Sequence, residues 1–107
     1  MSKSRAKGTA AETRFAAYFR AHGFPLCERR ALSGSNDRGD LSGIPGVMIE
    51  VKNTKQFELA EWMDEVIVEK QNAKASIGVC IFPRRNHAAG RAYVLMELDQ
   101  FIEMIAD

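Results

Sequence analysis

Asp40, Glu50 and Lys52 are the residues in this chain whose types and spacing could carry out chemistry. Glu50 and Lys52 are two residues apart in a segment that alternates like a strand, so both side chains leave the same face. With a turn centred on Ile44, Asp40 lies opposite Met48 and becomes the diagonal neighbour of Glu50, about 7–8 Å away. Two carboxylates would then face one point beside an ammonium group. A shift of this pairing by one residue would turn Asp40 to the opposite face.

The two carboxylates and the lysine are suited to the hydrolysis of a phosphodiester bond. A bound divalent cation offsets the charge of the phosphate and lowers the pKa of water, and Mg²⁺ is commonly held by one or two carboxylates. A neighbouring lysine can orient the attacking water and stabilise the transition state. We therefore predict a nuclease site in which Asp40 and Glu50 hold Mg²⁺, or Mn²⁺ in its place, and Lys52 is catalytic. No organic cofactor is expected.

The pattern of apolar and turn-forming residues predicts an α/β fold, a mixed sheet with helices on its faces in the order α-β-β-β-α-β-β-α. Helices are predicted over 9–22, 57–75 and 98–105, and strands over 25–32, 40–41, 47–52, 77–82 and 92–96. The polar segment 33–39 and the basic segment 83–91 are predicted as loops. The strand over 47–52 and the strand before it therefore position the candidate site.

Composition and charge indicate one ordinary globular domain with a basic end. The chain has 107 residues, of which 46% are hydrophobic, and its formal net charge is +1. Residues 1–38 hold eight Lys or Arg and three acidic residues, whereas residues 39–107 hold seven and eleven. A basic end fits contact with phosphates, although basic termini that meet only solvent are common. Residues 1–8 are predicted to form a basic, flexible N-terminal segment of the single domain.

Membrane and secretory classes are not expected. No apolar stretch reaches the length of about 18 residues that a membrane span needs, and no apolar region follows the basic N-terminus. Cys27 and Cys80 fit neither a metal spacing nor a disulfide framework, so we expect two buried, reduced thiols in a cytoplasmic protein.

Several motifs resemble one nuclease family. Gly39-Asp40 followed by Glu50-Val51-Lys52 resembles the signature of the PD-(D/E)xK nucleases. The run KGTAAE over 7–12 resembles the first helix of the archaeal Holliday-junction resolvase branch. Further runs between residues 24 and 65 resemble predicted resolvases of bacteriophages, and the likeness covers most of residues 5–85. One departure is Gly39, which stands where the family usually has a proline.

The resemblance implies a restriction-endonuclease-like fold and a role for particular residues. Glu12, Asp40 and Glu50 would surround the metal, the Val51 carbonyl would be a further ligand, and Lys52 would be the catalytic lysine. The implied substrate is branched DNA, with four-way junctions preferred, in DNA recombination; a phage-encoded enzyme would act in the host cytoplasm. Candidates for contact with the DNA are Lys7, Arg29, Arg30, Ser33, Ser35, Arg38, Arg84 and Arg85, with the choice between the two serines left open.

Each of these functional interpretations has a structural alternative. Thr9 and Glu12 have the spacing of a helix capping box. Glu50 and Lys52 could be a surface ion pair, and the segment with Arg84 and Arg85 could be a solvated loop. At the level of the whole protein, the alternatives are a nickase or repair nuclease of the same superfamily, or a DNA-binding protein that keeps the fold without catalysis.

A homodimer is also predicted. A chain this small gains stability from additional burial, and two cuts in a two-fold symmetric junction suit one site on each subunit. The interface is expected on the helix with Trp62 or, less favoured because the sheet could use its apolar face fully, on the helix with Phe101.

Overall fold

The computed structural model describes residues 3–30 and 37–106, with side chains from Gly8 onward. It is an α/β fold in which helices flank one five-stranded mixed sheet, as predicted. Helices α1, α2 and α3 span Lys3–Ala21, Leu59–Asn72 and Leu98–Ile105, and a short 3-10 helix spans Ala89–Arg91. Strands β1 to β5 span Glu28–Arg29, Leu41–Ser42, Val47–Val51, Ile77–Phe82 and Tyr93–Leu95. The predicted order of helices and strands is confirmed, and no helix in the described ranges is long and apolar enough to cross a membrane.

The sheet has the order β1-β2-β3-β4-β5. The central strands β3 and β4 pair in parallel, while the other neighbours are antiparallel. Helix α2 makes the crossover that two parallel strands require. Because parallel strands end at the same edge of a sheet, the segments that follow β3 and β4 meet there.

Apolar side chains cover both faces of the central strands. The core under α1 includes Phe15, Ala16, Leu41, Ile49, Val51 and Ile81. The core under α2 consists of Met48, Trp62, Val66, Cys80 and Phe82. Alternation along β3 sends Glu50 to the α2 side together with Met48. Both cysteines are buried and free, as predicted.

Helix α1 begins earlier than the sequence pattern indicates. Its first residue is Lys3 rather than Thr9, so residues 3–8 are helical where a flexible segment is predicted. Lysine, arginine and alanine favour this extension because they are strong helix formers. Thr9 and Glu12 therefore lie inside the helix, where the backbone N–H groups already have intrahelical partners. The capping-box interpretation is wrong.

The pairing of β2 with β3 differs from the predicted register but keeps the predicted face. Leu41 lies opposite Ile49, and the Asp40 N–H donates to the Ile49 carbonyl over 2.8 Å. Asp40 is thus beside Glu50 rather than opposite Met48. The pairing is shifted by two residues, and a shift by an even number preserves the face of every side chain.

Helix α3 packs on the sheet through a polar residue. The Gln100 side chain accepts the Gly78 N–H over 2.8 Å and donates to the Gly78 carbonyl over 2.9 Å, so it replaces a strand partner beyond the end of β5. The large apolar residues of α3 are exposed: Leu98, Phe101, Ile102, Met104 and Ile105. The expectation that the sheet uses this apolar face is therefore wrong.

Candidate active site

Three carboxyl groups meet between β3 and α2. Asp37 precedes β2, Glu50 lies in β3 and Glu69 lies in α2, and one oxygen from each is within 4.8 Å of the others. Glu50 and Glu69 are each only 5% exposed. Like charges at this spacing repel one another unless a proton or a cation lies between them.

The carboxyl groups line an open cleft of about 580 Å³ between β3 and α2. Its walls are formed by Asp37, Glu50, Lys52, Asp64, Glu65, Val68 and Glu69. Acidic groups and one lysine dominate this surface. The cleft is therefore suited to a cation and to an anion that is bound through that cation.

Glu50 has the most strongly shifted pKa of the site. Burial, a hydrogen bond with the Asp40 carboxyl, and the charges of Asp40 and Glu69 raise the pKa of Glu50 from 4.5 to about 11. Among the described residues, no peptide, hydroxyl or cationic group donates to its Oε1 atom. A buried oxygen without a hydrogen-bond donor lowers the stability of the fold unless a proton or a cation binds to it.

Glu69 and Asp37 form the second carboxyl contact. Burial, followed by a hydrogen bond with Asp37, raises the pKa of Glu69 to about 8. The hydrogen bond with Glu69 lowers the pKa of Asp37. These opposite directions place the shared proton on Glu69 and the negative charge on Asp37. The Oε2 atom of Glu69 also has no partner within the described ranges.

The backbone at Gly39 holds Asp37 toward the site. Gly39 has φ +98°, and its N–H donates to Oδ1 of Asp37 over 2.9 Å. A Cβ atom at Gly39 would lie 2.7 Å from Sδ of Met48 and 2.9 Å from the Ile49 carbonyl. Glycine fits this close approach, whereas the fixed negative φ of proline does not. The departure from the resembled pattern at this position thus has a structural reason.

Asp40 is held by the backbone of β3. Its Oδ2 atom accepts the Val51 N–H over 2.7 Å. Together with the contact between the Asp40 N–H and Ile49, this bond fixes the carboxyl beside Glu50. The predicted roles of Asp40 and of the Val51 carbonyl as metal ligands stay predictions.

Lys52 lies between two acidic side chains. Its Nζ atom is 2.6 Å from Oε2 of Glu65 and 3.9 Å from Oε2 of Glu50. Burial acts to lower the pKa of Lys52, but the hydrogen bond to Glu65 and the charges of Glu50 and Glu65 outweigh it, so the pKa is raised. Lys52 therefore keeps its proton at neutral pH. Because Glu50 is buried, the interpretation of this pair as a surface ion pair is wrong.

Glu12 reaches the same region from α1. Its Oε1 atom accepts a hydrogen bond from Nε of Arg29 over 3.0 Å. Burial and the negative charge of Asp40 raise the pKa of Glu12 against the opposing effect of Arg29. Asp40 thus raises the pKa of both Glu12 and Glu50. We call the five acids that interact in this way the carboxyl row: Glu12, Asp40, Glu50, Glu69 and Asp37.

The donor chemistry of this carboxyl row fits a hard divalent cation. Every donor is an oxygen, and a cation would satisfy the two buried oxygens of Glu50 and Glu69 that have no hydrogen-bond donor. Among the described residues, the set whose oxygens lie close enough together to hold a metal ion consists of Asp37, Glu50 and Glu69. Glu50 is the one member that it shares with the predicted set, in which Glu12 and Asp40 are the other acids.

The residues predicted to contact DNA lie in different parts of the structure. Arg29 is paired with Glu12, and the positive charge of Arg30 helps to lower the pKa of Asp37. Arg38 is exposed. Arg84 and Arg85 line a separate groove beside the ends of β3 and β4. The side chain of Lys7, and Ser33 and Ser35 entirely, lie outside the described residues.

Sequence reasoning missed Asp37 and Glu69. For Glu69 a signal exists, because it follows Val66 by three residues and precedes Ala73 by four on the apolar side of α2. A carboxyl on a buried stripe is rare enough to indicate a special role. For Asp37 there is no such signal, since it is one polar residue in a polar loop. The other residue of note in α2, Trp62, is buried in the core.

Comparison with protein-family models, with curated proteins and with solved structures found no match to this chain. The fold and the site define a class of protein nonetheless, an α/β domain with buried carboxyl groups beside a lysine at one end of its sheet. A function has to be argued from the chemistry of that site.

Proposed function

We propose that this chain is a metal-dependent endonuclease that hydrolyses phosphodiester bonds in branched DNA. The observation that carries this proposal is the pair of buried carboxyl groups, Glu50 and Glu69, each with one oxygen that has no hydrogen-bond donor among the described residues, in a cleft that the protonated Lys52 also lines. A purely structural cluster would gain stability from apolar replacements, because an unneutralised buried carboxyl is costly. A divalent cation bound among these carboxyl groups would offset that cost and would serve the proposed hydrolysis.

Glu50 is the central ligand of the proposed metal site, with Asp37, Glu69 and Asp40 around it. When bound, Mg²⁺ or Mn²⁺ would supply Lewis acidity toward the phosphate and lower the pKa of the attacking water. Lys52 would stabilise the added negative charge of the transition state, because its raised pKa keeps it cationic. Glu65 positions Lys52 through the 2.6 Å contact, and the backbone contact of Asp40 keeps its carboxyl oriented.

The choice of branched DNA rests on the resemblance to PD-(D/E)xK resolvases. From the same resemblance we propose a restriction-endonuclease-like fold, four-way junctions as the preferred substrate and a role in DNA recombination. The proposal also includes a homodimeric assembly and a site of action in the cytoplasm. Arg29 contacts Glu12 at one end of the carboxyl row and Arg30 acts on Asp37 at the other end. Phosphate contacts of these two residues and of the exposed Arg38 would orient a strand.

Cleavage of labelled duplex, flap and four-way DNA tests this function. We expect cutting with Mg²⁺ or Mn²⁺, none in chelator, and binding with little cutting in Ca²⁺, which has looser coordination. Asp40→Asn, Glu50→Gln and Lys52→Ala should lower cleavage by orders of magnitude. Their affinity for junction DNA in Ca²⁺ should stay within about tenfold, or ~1.4 kcal/mol. Glu61→Gln, an exposed acidic position in the first turn of α2, is the matched control and should cut normally.

The outcomes separate the competing functions. Cutting of flaps or duplex without cutting of junctions would favour a nickase or repair nuclease. Tight DNA binding without cleavage in any divalent metal would indicate a DNA-binding protein that keeps the fold. Full cleavage in chelator, or by the Glu50→Gln variant, would remove the proposed site.

A further inference from the structure

A groove of about 490 Å³ lies beside the candidate active site and is not part of it. It forms where β3 and β4 end, because the Lys52 N–H still donates to the Ile81 carbonyl over 3.0 Å and holds the two exits together. Lys55 and Phe57 enter from the segment after β3, and Arg84 and Arg85 from the segment after β4. The groove has the size of an ordinary small-ligand site.

The groove combines cations with exposed aromatic rings. Its lining includes Lys55, Arg84 and Arg85 but none of the described carboxylates. Phe57 is 54% exposed and Tyr93 is 44% exposed, although both rings pack on Phe82 at centroid distances of 5.0 and 5.1 Å. Each aromatic ring is thus anchored on one side and open on another.

The loops of this groove are held by their own hydrogen bonds. The Thr54 hydroxyl donates to the Gln56 carbonyl over 2.6 Å, and the His87 N–H donates to the Arg84 carbonyl over 3.1 Å. Arg14 of α1 donates to the His87 carbonyl over 3.0 Å. The guanidinium carbon of Arg84 lies 5.7 Å from the centre of the Tyr93 ring, so its plane adds to the stacking surface.

We infer that this groove binds an unpaired nucleotide of the DNA strand that enters the active site. A phosphate group alone would bind to the cations and would not use the aromatic rings. Bases in a duplex could not stack on these rings, because neighbouring bases cover both faces of each base. Single-stranded nucleic acid offers both a charged backbone and open base faces, the combination that basic grooves with aromatic rings bind. The inference rests on the proposed nuclease function, because it names the part of the substrate that lies next to the cut bond.

The position of the groove gives this binding a consequence for specificity. Thr54, which helps to line it, is two residues beyond Lys52 and therefore at most about 7 Å further along the chain. A strand held at the carboxyl row would reach the groove with its adjacent nucleotides. The enzyme would then prefer DNA that has unpaired nucleotides at a branch point over uninterrupted duplex.

A short single-stranded oligonucleotide containing 2-aminopurine, added to the 107-residue chain in chelator, tests the inference. Stacking quenches 2-aminopurine fluorescence, so we expect quenching on binding, and an unlabelled paired duplex of the same sequence should not displace the oligonucleotide. Phe57→Leu and Tyr93→Leu should each weaken binding by about fivefold or more. Phe57→Tyr keeps the ring and should bind like the original chain. Phe24→Leu, an exposed aromatic position outside this groove, is the matched control.

Quenching and affinity that are unchanged in both leucine variants would overturn the inference, as would displacement of the oligonucleotide by the paired duplex at equal concentration. Displacement of the oligonucleotide by inorganic phosphate at equal concentration would reduce the groove to an anion site and would overturn it also. The result is separable from the proposed function. Cleavage in Mg²⁺ without quenching in chelator removes only the groove, whereas quenching without cleavage in any metal removes the nuclease and leaves a single-strand binding protein.

Discussion

Glu50 of β3 and Glu69 of α2 come from different elements, yet their carboxyl oxygens lie within 4.8 Å of each other. Each residue is buried, with a relative exposure of 5%. Neither has a donor for one of its oxygens among the described residues. The fold therefore holds two acids together, each with one oxygen that only a proton or a bound cation would satisfy, while Lys52 reaches the other oxygen of Glu50 over 3.9 Å.

The first prediction is that Mg²⁺ stabilises the folded chain through Glu69. At about 100 times its dissociation constant, Mg²⁺ should raise the free energy of unfolding by about 2.7 kcal/mol. Glu69→Gln should weaken Mg²⁺ binding by about tenfold or more, while the metal-free variant unfolds no more easily at neutral pH, because Glu69 already holds a proton there and glutamine replaces one neutral group with another. Thermal melts with and without Mg²⁺ measure both effects. Glu61→Gln, in the exposed first turn of the same helix, should respond to Mg²⁺ like the original chain, and an equal response of Glu69→Gln would exclude Glu69 as a ligand.

The second prediction concerns pH in the absence of metal. The pKa values of Glu50 and Glu69 rise from 4.5 to about 11 and about 8, so the folded state keeps protons that the unfolded chain releases. The contribution of these two groups to the unfolding free energy should be largest below pH 4.5. It should fall as pH rises through about 8, by up to about 1.4 kcal/mol per pH unit for each retained proton. Urea denaturation in chelator between about pH 6 and about pH 9 measures the slope. Glu69→Gln should flatten it, and stability that rises over this range would contradict the raised pKa values.

The third prediction separates function from stability at Glu12. Glu12→Gln should lower DNA cleavage clearly, though less than Glu50→Gln, because Glu12 stands at the end of the carboxyl row beside Asp40. Its ion pair with Arg29 is partly exposed, so the unfolding free energy should change by less than about 1 kcal/mol. Cleavage rates and urea denaturation of the same preparation give both numbers. A large loss of stability with normal cleavage would return Glu12 to a structural role.

The fourth prediction is that α3 forms the interface of a homodimer. Phe101, Ile102 and Ile105 are 47%, 49% and 64% exposed on this helix, whereas α2, the other predicted location, buries Trp62 in the core. Ile105→Glu should convert dimers to monomers and turn paired cuts in a junction into single nicks. Analytical ultracentrifugation at micromolar concentration measures the first effect. Leu26→Glu, at an apolar position that is 77% exposed, is the control; an original chain that is monomeric both free and on junction DNA would contradict the dimer.

The sequence by itself determined the layers of the fold and the centre of the site. Alternation over Val47–Val51 predicts a strand with Glu50 and Lys52 on one face, since a strand repeats every two residues whatever surrounds it. Periodic apolar residues predict the three helices for a similar local reason. Asp40 reached the expected face despite the altered register, because the difference of two residues leaves the alternation intact.

Only the tertiary structure decided which acids meet. Asp37 and Glu69 are 32 residues apart in the numbering of the chain, and their contact depends on how α2 crosses over the sheet and on the close approach of Gly39 to Met48. The same holds for α3, whose apolar stripe could have packed against the sheet. In the structure the Gln100 side chain bonds to the backbone of Gly78 instead, and the apolar stripe is exposed. Local patterns report which face of an element is apolar, but which partner covers that face, and which charges are brought together there, is set by packing between elements that are distant in sequence.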